Sequence, residues 1–296
     1  SKQRIISRRT RKRITMQLEE AEHTDGPGLP EEYRPLAALL TNTSHSIPLY
    51  GSRITTYTDG RSKMEALLTE IACAKHHIHI QYYILNDDET GRRLRDALIA
   101  KAREGVEVRI LYDDVGSSGA KKSFFRSMRS EGIEVYAFLH VKFPLFTSKV
   151  NYRNHRKIVV IDGRIGFIGG MNIADRYVRG TEWGSWRDTH FRIEGSGAAG
   201  LQASFLSDWS ATTKRHIAGA EYYPAAERLT DDILQIVPSG PFGKWRALLQ
   251  ADSYAVSNAR KRIWIQTPYY LPSDVLNSAL QVAALAGIDV RLMLPA

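Results

Sequence analysis

The stretch "HRKIVVIDGRIGFIGGMN", residues 155–172, contains two short apolar runs that flank a turn signal. The run "KIVVID" predicts a β-strand, and its Asp-Gly ending predicts a tight turn into a second strand, "IGFIGG". Alternation along the first strand places His155 and Lys157 on one face. The second strand then brings residues 169–172 back beside them.

A histidine and a lysine that face one point suit a phosphate ester. Lys157 supplies positive charge to the non-bridging oxygens, and the imidazole of His155 can attack phosphorus or move a proton near neutral pH. Gly169 and Gly170 allow close approach of a backbone, and Asn172 adds a neutral donor. The spacing therefore predicts a phosphate site built from these five residues.

Asp162 lies at the end of the predicted strand, seven residues after His155 and hence on the opposite face. A carboxylate can hold the tautomer of a catalytic imidazole. Spacing alone does not establish that Asp162 reaches His155. A hairpin histidine beside a surface lysine is the simpler interpretation, but the added Asp, Gly, Gly and Asn favour a functional site.

Helix-like and strand-like segments alternate upstream of the motif. Helices are predicted at residues 63–75, 89–103 and 121–132, and strands at residues 77–85, 106–113 and 133–138. This order is typical of β-α-β units. We therefore predict an α/β fold with a mostly parallel central sheet flanked by helices.

An internal repeat relates residues 66–113 to residues 247–296. Each copy has a helix, the pattern I-x-I-Q followed by aromatic residues, a second helix, a glycine and a strand containing Val-Arg, so that Gln81 aligns with Gln266. This order favours duplicated halves, the second of them incomplete. The predicted domains are a basic tail and lead-in segment at 1–49, a first half at 50–225 and the start of a second half at 226–296.

Charge is concentrated at the beginning of the chain. Of the net charge of +9, seven positive groups lie in residues 1–13 with no acid, which leaves +2 for the rest. Such a cluster suits nucleic acid, an anionic lipid surface or a solvated tail. The single cysteine, Cys73, excludes an internal disulfide framework and a multi-cysteine metal site. No apolar run is long enough to span a membrane.

Two further patterns resemble ligand sites. His76, His77 and His79 lack a suitably spaced acidic partner, and alternation separates His76 from His77, so we interpret them as strand residues without a metal. The sequence "GSGAAG" at 195–200 matches a dinucleotide fingerprint, but no short β-α-β unit follows. It predicts a tight turn into a packed helix.

Polar residues near predicted strands are the remaining candidates for a functional site. Asp113 and Asp114 end a strand and are expected to line a cleft, because sites in α/β proteins lie at the carboxyl ends of strands. In "WRDTH", Arg187 and Asp188 are interpreted as a structural pair and His190 as a packing residue.

The motif resembles the signature H-x-K-x4-D-x6-G-[SG]-x-N of the phospholipase D superfamily. The blocks "NYRNHRKIVVIDGRIGFIGGMNIADRY", "WRDTHFRIEG", "LQASFLSDW" and "IWIQTPYYLPSDVL" are similar, in order, to bacterial cardiolipin synthases. This similarity covers roughly residues 50–296. It is more specific than the H-x-K-x4-D core that many members of the superfamily share.

The resemblance implies a reaction without metal or cofactor. A phosphatidyl group would pass from one phosphatidylglycerol to another through a phosphohistidine, giving cardiolipin and glycerol. His155 would be the nucleophile, Lys157 and Asn172 with the two glycines would bind the phosphate, and Asp162 would support the histidine. A second such motif would protonate the leaving glycerol and deprotonate the incoming hydroxyl.

The sequence departs from this family in two respects. Members usually carry two N-terminal membrane helices and a second H-x-K-x4-D motif, and neither occurs in these 296 residues. The resemblance therefore implies that a missing C-terminal half or a second subunit supplies the second motif, and that this chain alone is inactive or impaired.

The implied partners are phosphatidylglycerol and an anionic membrane surface, and the implied location is the bacterial inner membrane with a cytoplasmic active domain. Nucleic acid is a less favoured partner. The alternatives are a phospholipase D-like phosphodiesterase or nuclease, which the basic tail would suit, and a non-catalytic half-module.

Overall fold

The computed structural model describes residues 28–138, 153–182, 184–240 and 244–294. The predicted basic tail lies outside these residues. The described residues form two compact units. The first is Leu49–Leu234, and the second combines Gly28–Pro48 with the described part of Gln235–Ala296.

The helices and strands are, in chain order, α1 Arg34–Ser44, β1 Leu49–Tyr50, β2 Arg53–Asp59, α2 Gly60–Cys73, β3 His77–Tyr82, α3 Glu89–Arg103, β4 Glu107–Asp113, α4 Lys122–Arg129, β5 Glu134–Phe138, β6 Ile158–Ile161, β7 Ile165–Gly169, α5 Asp175–Arg179, β8 Arg187–Glu194, α6 Gly197–Thr213, β9 Ile233–Leu234, α7 Ala247–Asn258, β10 Arg262–Gln266, α8 Asp274–Leu285 and β11 Asp289–Met293. Short 3-10 helices cover Glu31–Tyr33 and Ala220–Tyr222. The helices and strands predicted upstream of the motif are present, with ends shifted by a few residues.

A seven-stranded sheet with the order β2-β8-β7-β6-β3-β4-β5 forms the centre of the first unit. Strands β3, β4 and β5 are parallel, and the other neighbouring pairs are antiparallel. The predicted α/β fold with flanking helices is confirmed, but the sheet is mixed rather than mostly parallel. The reason is local: helical crossovers keep β3, β4 and β5 in one direction, whereas the tight turn from β6 to β7 and the longer connection from β7 to β8 reverse the chain direction.

The hairpin predicted by the opening stretch is confirmed. Asp162 and Gly163 have φ values of 52° and 66°, and the N–H of Arg164 donates to the carbonyl of Ile161 at 3.0 Å. Positive φ at both central positions defines a type I′ turn, whose twist matches that of paired strands. The preceding strand β6 pairs antiparallel with β3 and so stands in the middle of the sheet.

The two faces of β3 differ chemically, although all six of its residues are buried. Ile78 and Ile80 belong to an apolar core shared with α2, α3 and α4, and complete burial of each such side chain stabilises the fold by about 2 kcal/mol. His79 and Gln81 point to the opposite face, where α6 covers them. Helix α6 begins at Gly197 just after β8 and is buried along most of its length, which confirms the predicted turn into a packed helix.

The second unit contains the other copy of the repeat. Strand β10 pairs in parallel with β11 after the crossover helix α8, and Ile263 lies opposite Val290. The aligned residues of the first copy, Ile78 and Val108, are paired in the same way. The duplication predicted from the sequence is therefore present as a repeated β-α-β register.

Helix α1 of the predicted lead-in segment packs against α7 within this second unit. Gln235 reinforces the unit by donating from Nε2 to the carbonyls of Ala37 and Ser46 at 3.3 and 3.2 Å. Among the described residues, every helix is too short or too polar to cross a membrane.

Candidate phosphate-ester site

His155 and Lys157 meet just before the start of β6. The Nζ atom of Lys157 lies 3.0 Å from Nδ1 of His155 and donates to the carbonyl of His155 at 2.7 Å. The His155 side chain is exposed, whereas Lys157 is buried. The two residues therefore face one point, as the alternation pattern predicted, although the regular strand begins only at Ile158.

Burial and the adjacent charge determine the protonation of this pair. Partial burial, assisted by Lys157, lowers the pKa of His155, while Asp113 opposes the shift. Burial also lowers the pKa of Lys157 to about 8, against the opposing effect of Asp188. At neutral pH the site therefore presents a neutral imidazole beside an ammonium group that is still mostly charged.

Tyr83, which follows β3, forms one wall of the site. Its ring lies 4.6 Å from the His155 ring between centroids, and the Lys157 Nζ atom lies 5.4 Å from the Tyr83 centroid. The aromatic face thus restricts the imidazole and attracts the neighbouring cation. The sequence predicted aromatic residues in this strand but gave no indication that one would contact His155.

Two buried carboxylates hold the segment that carries His155. Asp113 Oδ2 accepts from the N–H of Asn154 at 3.1 Å. Asp208 Oδ2 accepts from Asn154 Nδ2 at 3.0 Å and from Gln81 Nε2 at 2.6 Å, and it also forms an ion pair with Arg156. Because these are charge-assisted bonds to rigid elements, they fix the direction in which the motif enters β6.

Asp162 lies at the other end of β6 from His155. Its carboxylate accepts hydrogen bonds from three successive backbone N–H groups, those of residues 75–77, at 2.7, 2.8 and 2.9 Å. It has no hydrogen bond to His155, so the expected support of the histidine is not a direct contact. What Asp162 does in the structure is align the beginning of β3 with the end of β6.

The paired glycines face β8. A Cβ atom on Gly170 would lie 2.0 Å from Oδ1 of Asp188, and one on Gly169 would lie 2.5 Å from Cα of His190. Strand β8 therefore needs both glycines for its close approach, and binding of phosphate by them stays a prediction. Asp188, interpreted from the sequence as half of a structural pair, lies beside the motif and acts electrostatically on Lys157.

Asn172 is buried and its amide is engaged. Oδ1 accepts from the N–H of Ile84 at 3.0 Å, and Nδ2 donates to the hydroxyl of Tyr177 at 2.7 Å. Because a primary amide has two N–H groups, one can still donate to a phosphate oxygen. Its assignment as a phosphate ligand stays a prediction.

His190 and Lys63 are two buried basic residues, close enough for the charge of Lys63 to affect the pKa of His190. His190 is fully buried, and neither ring nitrogen has a hydrogen-bond partner among the described residues. Burial lowers its pKa to about 2, helped by the charges of Lys63 and Lys157. Lys63 is also fully buried, donates to the Tyr82 hydroxyl at 2.9 Å and has its pKa lowered by burial to about 7. The sequence gave no signal for Lys63, which has the setting of an ordinary helix lysine.

His77 and His79 lie on β3 beneath α6. Gln202 bridges them, with Oε1 at 3.1 Å from His79 Nδ1 and Nε2 at 3.3 Å from His77 Nε2. Burial lowers the pKa of both. The predicted separation of His76 from His77 was wrong: their Nδ1 atoms lie 2.8 Å apart, because His76 precedes the strand and need not alternate. In the described ranges, no cluster of three or more His, Cys, Asp or Glu side chains is arranged to bind a metal.

Comparison with known proteins agrees with this geometry. Residues 67–209 match a family described as "Cardiolipin synthase, PLD-like domain". These residues therefore form a domain of the phospholipase D superfamily. The chain is similar over most of its length to bacterial cardiolipin synthases.

Cardiolipin synthase 2 of Bacillus cereus is 46% identical over 243 residues, which cover 81% of this chain and 47% of the relative. The major cardiolipin synthase of Bacillus subtilis is 41% identical over 265 residues, or 88% of this chain and 55% of the relative. The chain thus spans about half the length of the curated relatives it matches.

Solved structures with lower identity support the fold alone. Phosphatidylserine synthase from Haemophilus influenzae has a TM-score of 0.65 at 17% identity, covering 89% of this chain and 66% of that protein. Polyphosphate kinase from Porphyromonas gingivalis has a TM-score of 0.51 at 13% identity, covering 92% of this chain and 41% of that protein.

Proposed function

We propose that this chain supplies the first catalytic motif of a phosphatidyltransferase of the cardiolipin synthase type, which converts two molecules of phosphatidylglycerol into cardiolipin and glycerol. The observation that carries this proposal is the pairing of a neutral, exposed His155 with a charged, buried Lys157 just before the start of the central strand β6. The relatives named as cardiolipin synthases support a lipid substrate.

In the first step, Nε2 of His155 attacks the phosphorus of one phosphatidylglycerol. A nitrogen–phosphorus bond forms as the bond from phosphorus to the glycerol oxygen breaks, and the histidine of a second motif gives that oxygen a proton. In the second step, a hydroxyl of another phosphatidylglycerol gives its proton to the second histidine and attacks phosphorus. The nitrogen–phosphorus bond then breaks, which releases cardiolipin and restores His155.

Lys157 acts on the phosphate. An attacking Nε2 must carry no hydrogen, so the ring hydrogen of His155 has to reside on Nδ1 in the reacting state. Lys157 lies 3.0 Å from that Nδ1, and in this state it turns its ammonium group to the non-bridging oxygens, whose charge increases in the transition state. Asp113 and Asp208 are positioning residues, because they act through the backbone and side chains of residues 154–156.

The second motif comes from a continuation of the chain or from another copy of it. We call the resulting assembly the two-motif enzyme. Since its substrates are lipids, it works at the anionic surface of the bacterial inner membrane, with the active domain on the cytoplasmic side. A basic segment such as residues 1–13 would strengthen that association.

The pH dependence of transfer follows from the lowered pKa values of His155 and Lys157. Transfer weakens as acid protonates His155, and it weakens again above about pH 8 as Lys157 loses its proton. Lys157→Arg keeps the charge at alkaline pH, so it should move the alkaline limb of the profile to higher pH.

The test incubates the two-motif enzyme with phosphatidylglycerol vesicles and measures cardiolipin and glycerol, which should appear in equal amounts. His155→Ala should reduce both by about 1,000-fold or more without lowering the melting temperature, because the side chain is exposed. His216→Ala, which removes another exposed histidine, is the control. Absence of cardiolipin with the wild type, or normal transfer by His155→Ala, would contradict the proposal.

A further inference from the structure

Helix α5 and the residue that precedes strand β8 form an exposed aromatic cluster. Trp186 immediately precedes β8 and is 39% exposed, and its ring lies 5.0 Å from the ring of Tyr177 between centroids. The guanidinium carbon of Arg176 lies 5.4 Å from the Tyr177 centroid and 5.8 Å from the Trp186 centroid. We call Arg176, Tyr177 and Trp186 the aromatic rim.

The aromatic rim lies at the same edge of the sheet as the proposed nucleophile. Strands β6, β7 and β8 are antiparallel neighbours, so the start of β6, the end of β7 and the start of β8 meet at one edge. His155 and Lys157 precede β6, and Trp186 precedes β8. A surface that lies against this edge therefore meets the rim as well as the histidine.

Contacts join the rim to motif residues from two directions. The hydroxyl of Tyr177 accepts from Nδ2 of Asn172 at 2.7 Å. Asp188, two residues after Trp186, lies so close to the motif that a Cβ atom on Gly170 would be 2.0 Å from its Oδ1. The rim is thus continuous with the predicted phosphate-binding residues.

Arg176 gives the rim an available positive charge. It is exposed, and in the part of the chain that the structure describes it forms no ion pair, whereas Arg179 of the same helix pairs with Glu89. The acid beside it, Asp175, is engaged by Thr90, whose N–H and hydroxyl donate to Oδ1 at 2.8 and 2.7 Å. The charge of Arg176 is therefore free to attract an anionic partner.

We propose that the aromatic rim is the surface through which the enzyme contacts the anionic bilayer beside its active site. The inference rests on the proposed function, because a substrate whose acyl chains stay in the bilayer presents its phosphorus only at head-group level. His155 reaches that phosphorus when the edge of the sheet that carries it lies against the bilayer. Tryptophan and tyrosine concentrate at this level of a membrane, since their rings are apolar and carry one polar group. An arginine beside them attracts the lipid phosphates.

The first experiment measures contact with lipid in the absence of turnover. The full chain, carrying His155→Ala, is mixed with phosphatidylglycerol vesicles whose acyl chains bear bromine, which quenches tryptophan fluorescence on contact. Trp183→Phe is present throughout, so that this neighbouring tryptophan does not contribute to the signal. We expect quenching that is lost in Trp186→Phe and retained in Trp245→Phe, since Trp245 is 47% exposed but belongs to the second unit. Residues 1–13 contain no tryptophan, so binding through them alone gives no quenching.

The second experiment separates docking from chemistry. The two-motif enzyme acts on phosphatidylglycerol either in vesicles or as short-chain monomers that form no bilayer. Arg176→Gln/Trp186→Ala should lower the ratio of vesicle transfer to monomer transfer by about tenfold or more, because it removes one interfacial ring and one cation. In the matched variant Lys244→Gln/Trp245→Ala, the lost cation also lies over the lost ring, with Nζ 4.8 Å from the centroid. This variant should leave the ratio at the wild-type value.

Quenching that survives Trp186→Phe, or no quenching before that change, would overturn the contact with lipid. An unchanged ratio of vesicle to monomer transfer would overturn the role in docking, since a disturbance that reaches Asn172 through Tyr177 lowers both rates together. If the wild type makes no cardiolipin from either form of the lipid, the proposed function fails, and the quenching alone then decides whether the rim contacts the bilayer.

Discussion

Strands β3 and β10 occupy equivalent places in the two copies of the repeat, yet every residue of β3 is buried and those of β10 alternate between exposed and half-buried. β3 lies between β4 and β6 and is covered by α6, whereas in the described residues β10 pairs with β11 alone. Local sequence is therefore enough to set the β-α-β register. The burial of each strand and the contacts of its side chains depend on the elements that cover that strand.

Aligned side chains show the same difference. Arg109 and Arg291 each pair at 2.9 Å with the acid two residues earlier, Glu107 and Asp289. Arg109 is nearly buried and also contacts His79, while the Arg291 side chain is 69% exposed. One local ion pair thus belongs to a buried network in the first copy and to the surface in the second.

We expect the two strands to differ most in how much a core substitution destabilises the protein. Ile80 is fully buried, and its aligned partner Ile265 is only half-buried. Ile80→Ala should lower the free energy of unfolding by about 4 kcal/mol, because it leaves a cavity in a packed core, and Ile265→Ala by about 1 kcal/mol. Urea unfolding measures both variants. Equal losses would show that β10 is as fully covered as β3.

The next effect concerns the covering helix. Asp208→Asn keeps the shape of the side chain but removes the charge that pairs with Arg156, so the His155 segment loses its fixed direction. Transfer by the two-motif enzyme should fall by roughly 10- to 100-fold, mostly in kcat, and the free energy of unfolding should fall by about 2 kcal/mol because Arg156 loses its buried partner.

Asp231→Asn, which removes an exposed carboxylate paired with Arg228, is the matched control. Full activity of Asp208→Asn would mean that β6 alone orients the histidine. A loss of activity that only follows a loss of folded protein would make Asp208 purely structural.

A smaller effect depends on pH. Lys63 and Lys244 both precede the shared Ala-Leu-Leu by three residues, but Lys63 is fully buried and Lys244 is exposed. An unfolded lysine holds its proton up to about pH 10.4, and folded Lys63 only up to about 7. The unfolded state therefore binds more protons in this window, so the free energy of unfolding should rise by about 2 kcal/mol from pH 7 to 9.

Lys63→Met should remove most of that slope, and Lys244→Met should leave it intact, as measured by urea unfolding across this pH range. A slope that survives Lys63→Met would assign the pH dependence to another group.

We expect the smallest loss of stability from a substitution in the second copy of the repeat, whose strand is more exposed. Trp264, at the position of His79, donates to Asp289 at 3.1 Å and lies under the guanidinium groups of Arg262 and Arg291. Because the ring is 58% exposed, Trp264→Ala should cost about 1 kcal/mol. A loss of several kcal/mol in thermal unfolding would indicate that the ring is buried in solution by an element outside the described residues.

The sequence predicted what depends on short-range pattern. The alternation of helices and strands, the Asp-Gly hairpin, the repeat and the meeting of His155 with Lys157 all follow from periods of 2 and 3.6 residues and from turn chemistry. The mixed sheet did not follow, because strand direction depends on which neighbours the hairpins select. The hydrogen bonds of Asp162 did not follow either, because spacing places this residue at the end of β6 without identifying its partners, the backbone N–H groups of residues 75–77.

The residues that sequence reasoning missed come from distant elements. Asp188 and Asp208 reach the motif through β8 and α6, and no local period connects them to His155. A signal did exist in "LQASFLSDW", where Gln202 and Asp208 carry the amide and the carboxylate of a helix that is buried along most of its length. Buried polar groups need partners, so this helix could have been predicted to cover polar side chains.

The bonds that define the site also determine when it can form. Asp162 joins backbone groups up to 87 residues earlier in the chain, and the contact from Gln81 to Asp208 spans 127 residues. Long-range pairings of this kind form slowly, because the intervening chain must lose conformational entropy before the stabilising contacts form. On the ribosome, a nascent chain that has emerged only as far as the motif has its histidine and lysine but not the helix that orients them. The geometry of the motif is therefore complete only late in synthesis, when α6 has left the exit tunnel and docked on the sheet.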